Sequence, residues 1–199
     1  MIRAIILAAG KSERMGRVKS LLPWGKRTLI EAIIDRVARS RAKEVLIVLG
    51  AARDDIEPVI AKYDLRTVFN PDSARGMLSS IQRGLEAVPR DARAVLFFLG
   101  DQPAPSAAII NRLIDAYEKT GKGIVLPVYG GRRGHPVLID LKYRNEIKTL
   151  DPEIGLRQLM RDHHEDVLEV RTRSPRVLLD IDTPEDYERA LASRRRRRK

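Results

Sequence analysis

Short, nearly unbroken apolar runs alternate along this chain with stretches whose apolar residues recur every three or four positions. The runs Ile2–Ala8, 45–49, Ala94–Leu99 and 124–126 are rich in Val, Ile and Leu and predict strands buried on both faces. The helical stretches carry recognisable starts. Thr28 and Glu31 fit a capping box ahead of Ile30, Ile33, Ile34 and Val37, and Ser79 with Gln82 repeats that pattern ahead of Ile81, Leu85 and Val88. Asp54 and Asp55 precede Ile56, Val59 and Ile60, and Ser106 precedes Ile109, Ile110, Leu113, Ile114 and Tyr117. A last helix is predicted from Thr183, with Pro184 at its first position and Glu185 and Asp186 in its first turn.

The order reads β-α-β-α-β-α-β-α-β, then a mixed region, then the final helix. It predicts an α/β fold, a doubly wound and mainly parallel sheet. Segments 138–140, 167–170 and 177–181 predict further strands, antiparallel in part. No internal repeat and no long linker interrupts the chain, so residues 1–193 are expected to form one domain.

Composition narrows the function classes. The 199 residues contain no cysteine, which excludes a disulfide framework, Cys-ligated zinc, an Fe–S cluster and thiol catalysis. The N-terminal apolar run is too short to span a membrane and carries no signal-peptide cleavage pattern, so a cytoplasmic protein without a membrane partner is expected. The net charge is +11, and residues 194–199 carry six of those charges. Such a block reads as a disordered, solvated tail or as a basic arm. With 3 Phe, 1 Trp and 5 Tyr, the body offers no aromatic ladder for stacking bases, and nucleic acid is not expected as a partner.

In doubly wound sheets, ligands sit at the carboxyl ends of the strands, so the segments after each strand deserve attention. After the first strand come the small residues Ala8, Ala9 and Gly10, which let a ligand approach the backbone. Lys11, Arg14, Arg17 and Lys19 follow, and converging cations with backbone N–H groups suit a polyphosphate. The spacing fits neither Walker A nor Gly-x-Gly-x-x-Gly.

After the fourth strand, Gly100-Asp101-Gln102-Pro103 places a carboxylate where a hard cation would sit, or where a turn needs a cap. Asp180 and Asp182 share one strand face just before the last helix, and either suits a metal or helix entry. Gly76, Ser79 and Ser80 open a helix that could bind an anion or cap itself, with Asn70 nearby. The Gly130–Gly134 loop, with Arg132 and Arg133, precedes His135 and suits an anionic acceptor. His163 and His164 read as surface, and Trp24 as core or as a rim over the nucleotide.

The motif Leu-Ala-Ala-Gly-x-Ser-x-Arg-Met-Gly-x-x-Lys-x-Leu-Leu-Pro at 7–23 resembles the signature of MobA-like nucleotidyltransferases. Gly134-His135-Pro136-Val137 resembles their molybdenum cofactor cytidylyltransferase branch. The likeness spans most of the chain and implies a three-layer, Rossmann-like nucleotidyltransferase fold with a small antiparallel portion. It implies transfer of CMP from CTP to the phosphate of molybdopterin, with guanylyl transfer or a sugar-phosphate acceptor as alternatives.

By the same likeness Arg14, Lys19 and Asp101 are expected to be catalytic. Leu7, Ala8, Ala9, Gly10, Arg14, Lys19, Ser79 and Ser80 are expected to bind nucleotide. Asp101 and Asp182 would hold Mg²⁺ (or Mn²⁺), with His135 and Arg133 facing the acceptor. A molybdoenzyme or chaperone is the implied protein partner. The terminal arginine run lies outside the family pattern.

Overall fold

The computed structural model describes residues 1–10 and 15–196. Eight strands form one sheet: β1 (Ile2–Ala8), β2 (Lys43–Leu49), β3 (Arg66–Phe69), β4 (Ala94–Leu99), β5 (Ile124–Tyr129), β6 (Arg132–Arg133), β7 (Val137–Asp140) and β8 (Val167–Arg171). The helices are α1 (Leu29–Ala38), α2 (Arg53–Ile60), α3 (Met77–Ala87), α4 (Ala107–Thr120), α5 (Arg144–Ile147), α6 (Leu156–Asp162) and α7 (Pro184–Arg196).

The strand order is β3-β2-β1-β4-β7-β5-β6, with β8 on the other side of β5. Strands β3, β2, β1 and β4 run parallel, and β8 runs parallel to β5. The antiparallel portion is β7 between β4 and β5, continued by the short β6.

Alternate residues of the central strands enter two cores, which is why their sequences read as unbroken apolar runs. Ala4, Ile6, Leu96 and Phe98 face Ile33, Ile34 and Val37 of α1 and Ile110, Leu113 and Ile114 of α4. Ile5, Leu7, Val95 and Phe97 face Leu78, Ile81 and Leu85 of α3 and Leu159 of α6. Each side chain buried as fully as Phe97 contributes roughly 1.5–3 kcal/mol. The result is a three-layer, Rossmann-like α/β fold with a small antiparallel portion.

Several local expectations hold. Thr28 and Glu31 form a reciprocal capping box, Ser106 accepts from the Ile109 N–H, and Thr183 and Asp186 exchange hydrogen bonds at the start of α7.

Others need correction. The third strand, which no apolar run marked, is β3, a half-exposed edge strand. Segment 177–181 is not a strand: Ser174-Pro175 leads into a 3-10 turn over Pro175–Leu178, and β8 already occupies the open side of β5. Strand β8 is parallel, not antiparallel. Ser79 is not an N-cap, because α3 starts at Met77 after Gly76, whose φ of 93° suits glycine. Its supposed box partner Gln82 instead donates to the Ile147 and Lys148 carbonyls. His163 is not a plain surface residue, since it packs on the Tyr143 ring and bonds Glu146. The helix α7 continues to Arg196, past the expected start of a disordered tail at 194. The Arg194 guanidinium lies 5.3 Å from the Trp24 ring centroid, and Trp24, 5% exposed, belongs to the core.

Candidate active site

The carboxyl end of β1 opens into a cleft of about 200 Å³, lined in part by Leu7, Ala8, Ala9, Gly10, Lys19, Ser80 and Asp101. Two features of the sheet create it. The Gly100 N–H bonds the Leu7 carbonyl at 2.8 Å, extending β4 beside the end of β1. A Cβ on Gly100 would stand 2.9 Å from both the Leu7 carbonyl oxygen and the Ala8 Cβ, so a side chain there would force the two strand ends apart.

On the other wall, Asn70 is held at the end of β3 by its N–H to the Leu49 carbonyl. Its buried amide donates to Ser79 Oγ at 3.0 Å and Ser80 Oγ at 2.9 Å, tying the start of α3 to the sheet. The Ser79 hydroxyl is engaged with the Gly76 and Asp72 carbonyls, whereas Ser80 lines the cleft.

Asp101 follows β4, and Asp180 and Asp182 precede α7. The topology brings the three together: one oxygen from each lies within 4.8 Å of the others. Asp101 is pushed above the usual carboxylate range by burial; Lys19 pulls it down, and Asp180 and Asp182 push it further up. Gln102 donates to Asp180 Oδ1 at 3.1 Å. The Lys19 side chain, 9% exposed, reaches Asp182 Oδ1 at 2.6 Å and Asp101 Oδ2 at 3.6 Å. Three converging oxygen donors, with no nitrogen or sulfur among them, fit Mg²⁺ or Mn²⁺. The donor chemistry of this chain therefore agrees with a divalent-metal cofactor.

Arg14, expected in two roles, lies outside the described residues together with Lys11. The Gly134-His135 segment docks against the stretch leading to the aspartates: the His135 N–H bonds the Val177 carbonyl at 2.9 Å, and Gly134 leaves no room for a Cβ against that oxygen. Burial pushes the His135 imidazole below its ordinary value, with Asp180 partly opposing, so the ring is neutral at pH 7. Arg133 points elsewhere, to Glu169 of β8 at 2.8 Å. Sequence reading missed Gln102, Ser73 and Met77 at this site. Of these, Gln102 carried a signal, its place next to Asp101.

A model of the MobA-like NTP transferase domain matches residues 4–167. The molybdenum cofactor cytidylyltransferase of Escherichia coli (strain K12) is 28% identical over 188 residues, which cover 94% of this chain and 93% of that protein. Nicotine blue oxidoreductase of Paenarthrobacter nicotinovorans is 32% identical over 208 residues, 96% of each chain. The crystal structure of Rv0371c from Mycobacterium tuberculosis H37Rv in complex with manganese matches with a TM-score of 0.80 at 28% identity, covering 96% of this chain and 98% of that one. No described helix is long and apolar enough to cross a membrane. The match over most of the chain, in keeping with the strand-end cleft and the three aspartates gathered beside it, makes this protein a member of the MobA-like NTP transferase family.

Proposed function

We propose that the protein is a divalent-metal-dependent cytidylyltransferase that moves CMP from CTP to the phosphate of molybdopterin. The observation that carries this reading is the meeting of Asp101, Asp180 and Asp182 with Lys19 beside a backbone-lined cleft at the end of β1.

An acceptor phosphate oxygen attacks the α-phosphorus in line; a new P–O bond forms, the bond to the β-phosphate breaks, and pyrophosphate leaves. Positioning and charge neutralisation dominate such a transfer. Asp101 and Asp182, with Asp180 beside them, would hold the metal, which would supply charge neutralisation for the phosphates. Leu7, Ala8, Ala9 and Gly10 present backbone groups to the nucleotide, and Ser80 adds a hydroxyl from the opposite wall. Asn70 and Ser79 keep that wall in place. Lys19 and Arg14 neutralise the triphosphate and the leaving pyrophosphate. The acceptor is already an anion, so no strong general base is required, in keeping with a neutral His135 that orients the acceptor, with Arg133 further out along the same segment.

The relative named an oxidoreductase does not redirect this reading, because converging carboxylates hold a divalent cation and do not move hydride. The likeness to the Escherichia coli cytidylyltransferase supports both CTP and molybdopterin. The test is pyrophosphate release with Mg²⁺ and molybdopterin, CTP against GTP. Release with CTP is the expected result. Release with GTP in its place would assign guanylyl transfer, and no release from protein that binds nucleotide would exclude molybdopterin and turn attention to sugar phosphates.

A further inference from the structure

Lys19 and Asp182 are 163 residues apart in sequence, yet the ammonium nitrogen lies 2.6 Å from the Asp182 carboxylate and 3.6 Å from that of Asp101. Those are two of the three carboxylates whose oxygens lie within 4.8 Å of one another. Mg²⁺ takes its oxygen ligands at about 2.0–2.1 Å, so a metal drawing on both groups would claim the space the ammonium fills. We propose that the Lys19 ammonium is an internal counter-ion that holds the divalent-metal position until nucleotide arrives, so that metal alone binds weakly and metal and nucleotide bind cooperatively. The proposal rests on reading this cluster as the metal–nucleotide centre.

The residue types suit such an exchange. A lysine ammonium is a compact point charge on a flexible four-carbon stem, able to change partners while its backbone stays fixed. The backbone of Lys19 is fixed, at the start of the 3-10 turn Lys19–Leu21, where its carbonyl accepts from the Leu22 N–H at 3.1 Å. The side chain lines the same cleft as Leu7, Ala8, Ala9 and Gly10. A triphosphate entering there offers the ammonium new oxygen partners of higher charge, and its departure exposes Asp101 and Asp182 together. Asp180 Oδ1 accepts from Gln102 at 3.1 Å. Two cations held by the same carboxylates at such short range repel each other. By linkage, whatever factor nucleotide adds to metal affinity, metal adds to nucleotide affinity. A phosphate-holding role for Lys19 predicts none of this in the absence of nucleotide.

The test titrates Mn²⁺ alone into the full chain, with unbound Mn²⁺ followed by electron paramagnetic resonance, for the native protein, Lys19→Met and Lys19→Gln. Each titration is repeated with a non-reacting α,β-methylene nucleotide, corrected for metal complexed by the nucleotide in solution. We expect both variants to bind Mn²⁺ alone about tenfold or more tighter than the native chain, within the usual range of coupling factors. The analogue should tighten Mn²⁺ binding about tenfold or more in the native protein and much less in the variants. Unchanged or weaker Mn²⁺ affinity in the variants overturns the proposal. So does a native chain whose Mn²⁺ affinity is indifferent to nucleotide, a result that needs no variant to fold. Asp101→Asn added to Lys19→Met should abolish the gain; if Mn²⁺ binding survives it, the metal sits elsewhere and the reading of the centre itself fails.

Discussion

Two groups of carboxylates lie at opposite ends of the sheet, and one member of each is shifted, Asp101 upwards and Asp166 downwards. At the carboxyl end, Asp101 shares a small volume with Asp180 and Asp182, and burial and those neighbours raise it against the pull of Lys19. At the amino end, Asp166 precedes β8, where burial alone would raise it as well. There, however, Lys142 Nζ at 2.7 Å, the Tyr143 hydroxyl at 2.5 Å and the Gly123 N–H outweigh burial and hold it at about 2. Its neighbour Asp140 accepts from the Tyr117 hydroxyl at 2.6 Å and the Lys142 N–H at 2.7 Å. One group is matched donor for acceptor and stabilises the junction of β5, β7 and β8. The other gathers three carboxylates beside the Lys19 ammonium, an arrangement whose chemistry suits binding a cation.

Exchanging a carboxylate for an amide at each end is the sharpest way to break that contrast. Asp101→Asn should lower turnover at least about 100-fold, as loss of a preorganised charge at the reacting centre does, with little change in Tm. Asp166→Asn should leave turnover within about twofold and lower stability, because charge-assisted bonds to Lys142 and Tyr143 are lost. The pyrophosphate assay and a thermal melt on both variants decide it. Similar losses of turnover in the two would erase the distinction.

Tyr143→Phe tests the amino end more gently. It removes one donor to Asp166 and leaves the ring, which packs against His163 at 4.6 Å between centroids. Urea unfolding should show a loss of about 1–3 kcal/mol with unchanged turnover. An unchanged midpoint would mean that Lys142 and the Gly123 N–H satisfy Asp166 without the tyrosine hydroxyl.

The two ends were unequally legible in the sequence. Strands β1 and β4 could be read because both faces are buried, and each ends in a segment whose residue types betray its use: Ala-Ala-Gly after β1, Gly-Asp after β4. At Asp182 the residues alone left metal binding and helix entry open, and only the family resemblance favoured the metal. The edge strand β3 could not, since a half-exposed strand lacks the continuous apolar run that marks the others. Segment 177–181 was misleading for the converse reason. Its apolar residues serve the core, Val177 and Ile181 being buried, but they do so from a 3-10 turn and the stretch after it, not from a strand. The direction of Lys19 was also beyond the sequence. A cation near a glycine-containing loop suggests phosphate, and its approach to Asp182 depends on a contact across 163 positions. The amino-end network of Lys142, Tyr143, His163 and Asp166 left no trace, because only the tertiary approach of the turn Leu141–Tyr143 to the turn His164–Asp166 unites its members.

The smallest expected effect is in the pH dependence of stability, and it should carry opposite signs at the two ends. Asp166 has a folded-state value of about 2, below its ordinary 3.8. Its ionised form therefore stabilises the fold above pH 4, and that contribution is lost as pH falls through about 2. The stability gap between the native protein and Asp166→Asn should be constant above pH 4 and close as the pH falls towards 2. Asp101 is raised instead, so its protonated form is the one the fold favours. Its contribution is fully present below the ordinary value and fades as pH rises through the higher folded-state value. Relative to Asp101→Asn, the native protein should gain stability on acidification. Urea midpoints for the three proteins from pH 6 to pH 2.5, in metal-free buffer, would read both signs, with titrating groups remote from the substituted positions cancelling in the differences. A gap to Asp101→Asn that also closes on acidification would place Asp101 among the satisfied carboxylates and remove the electrostatic reason for assigning the cation to that end of the sheet.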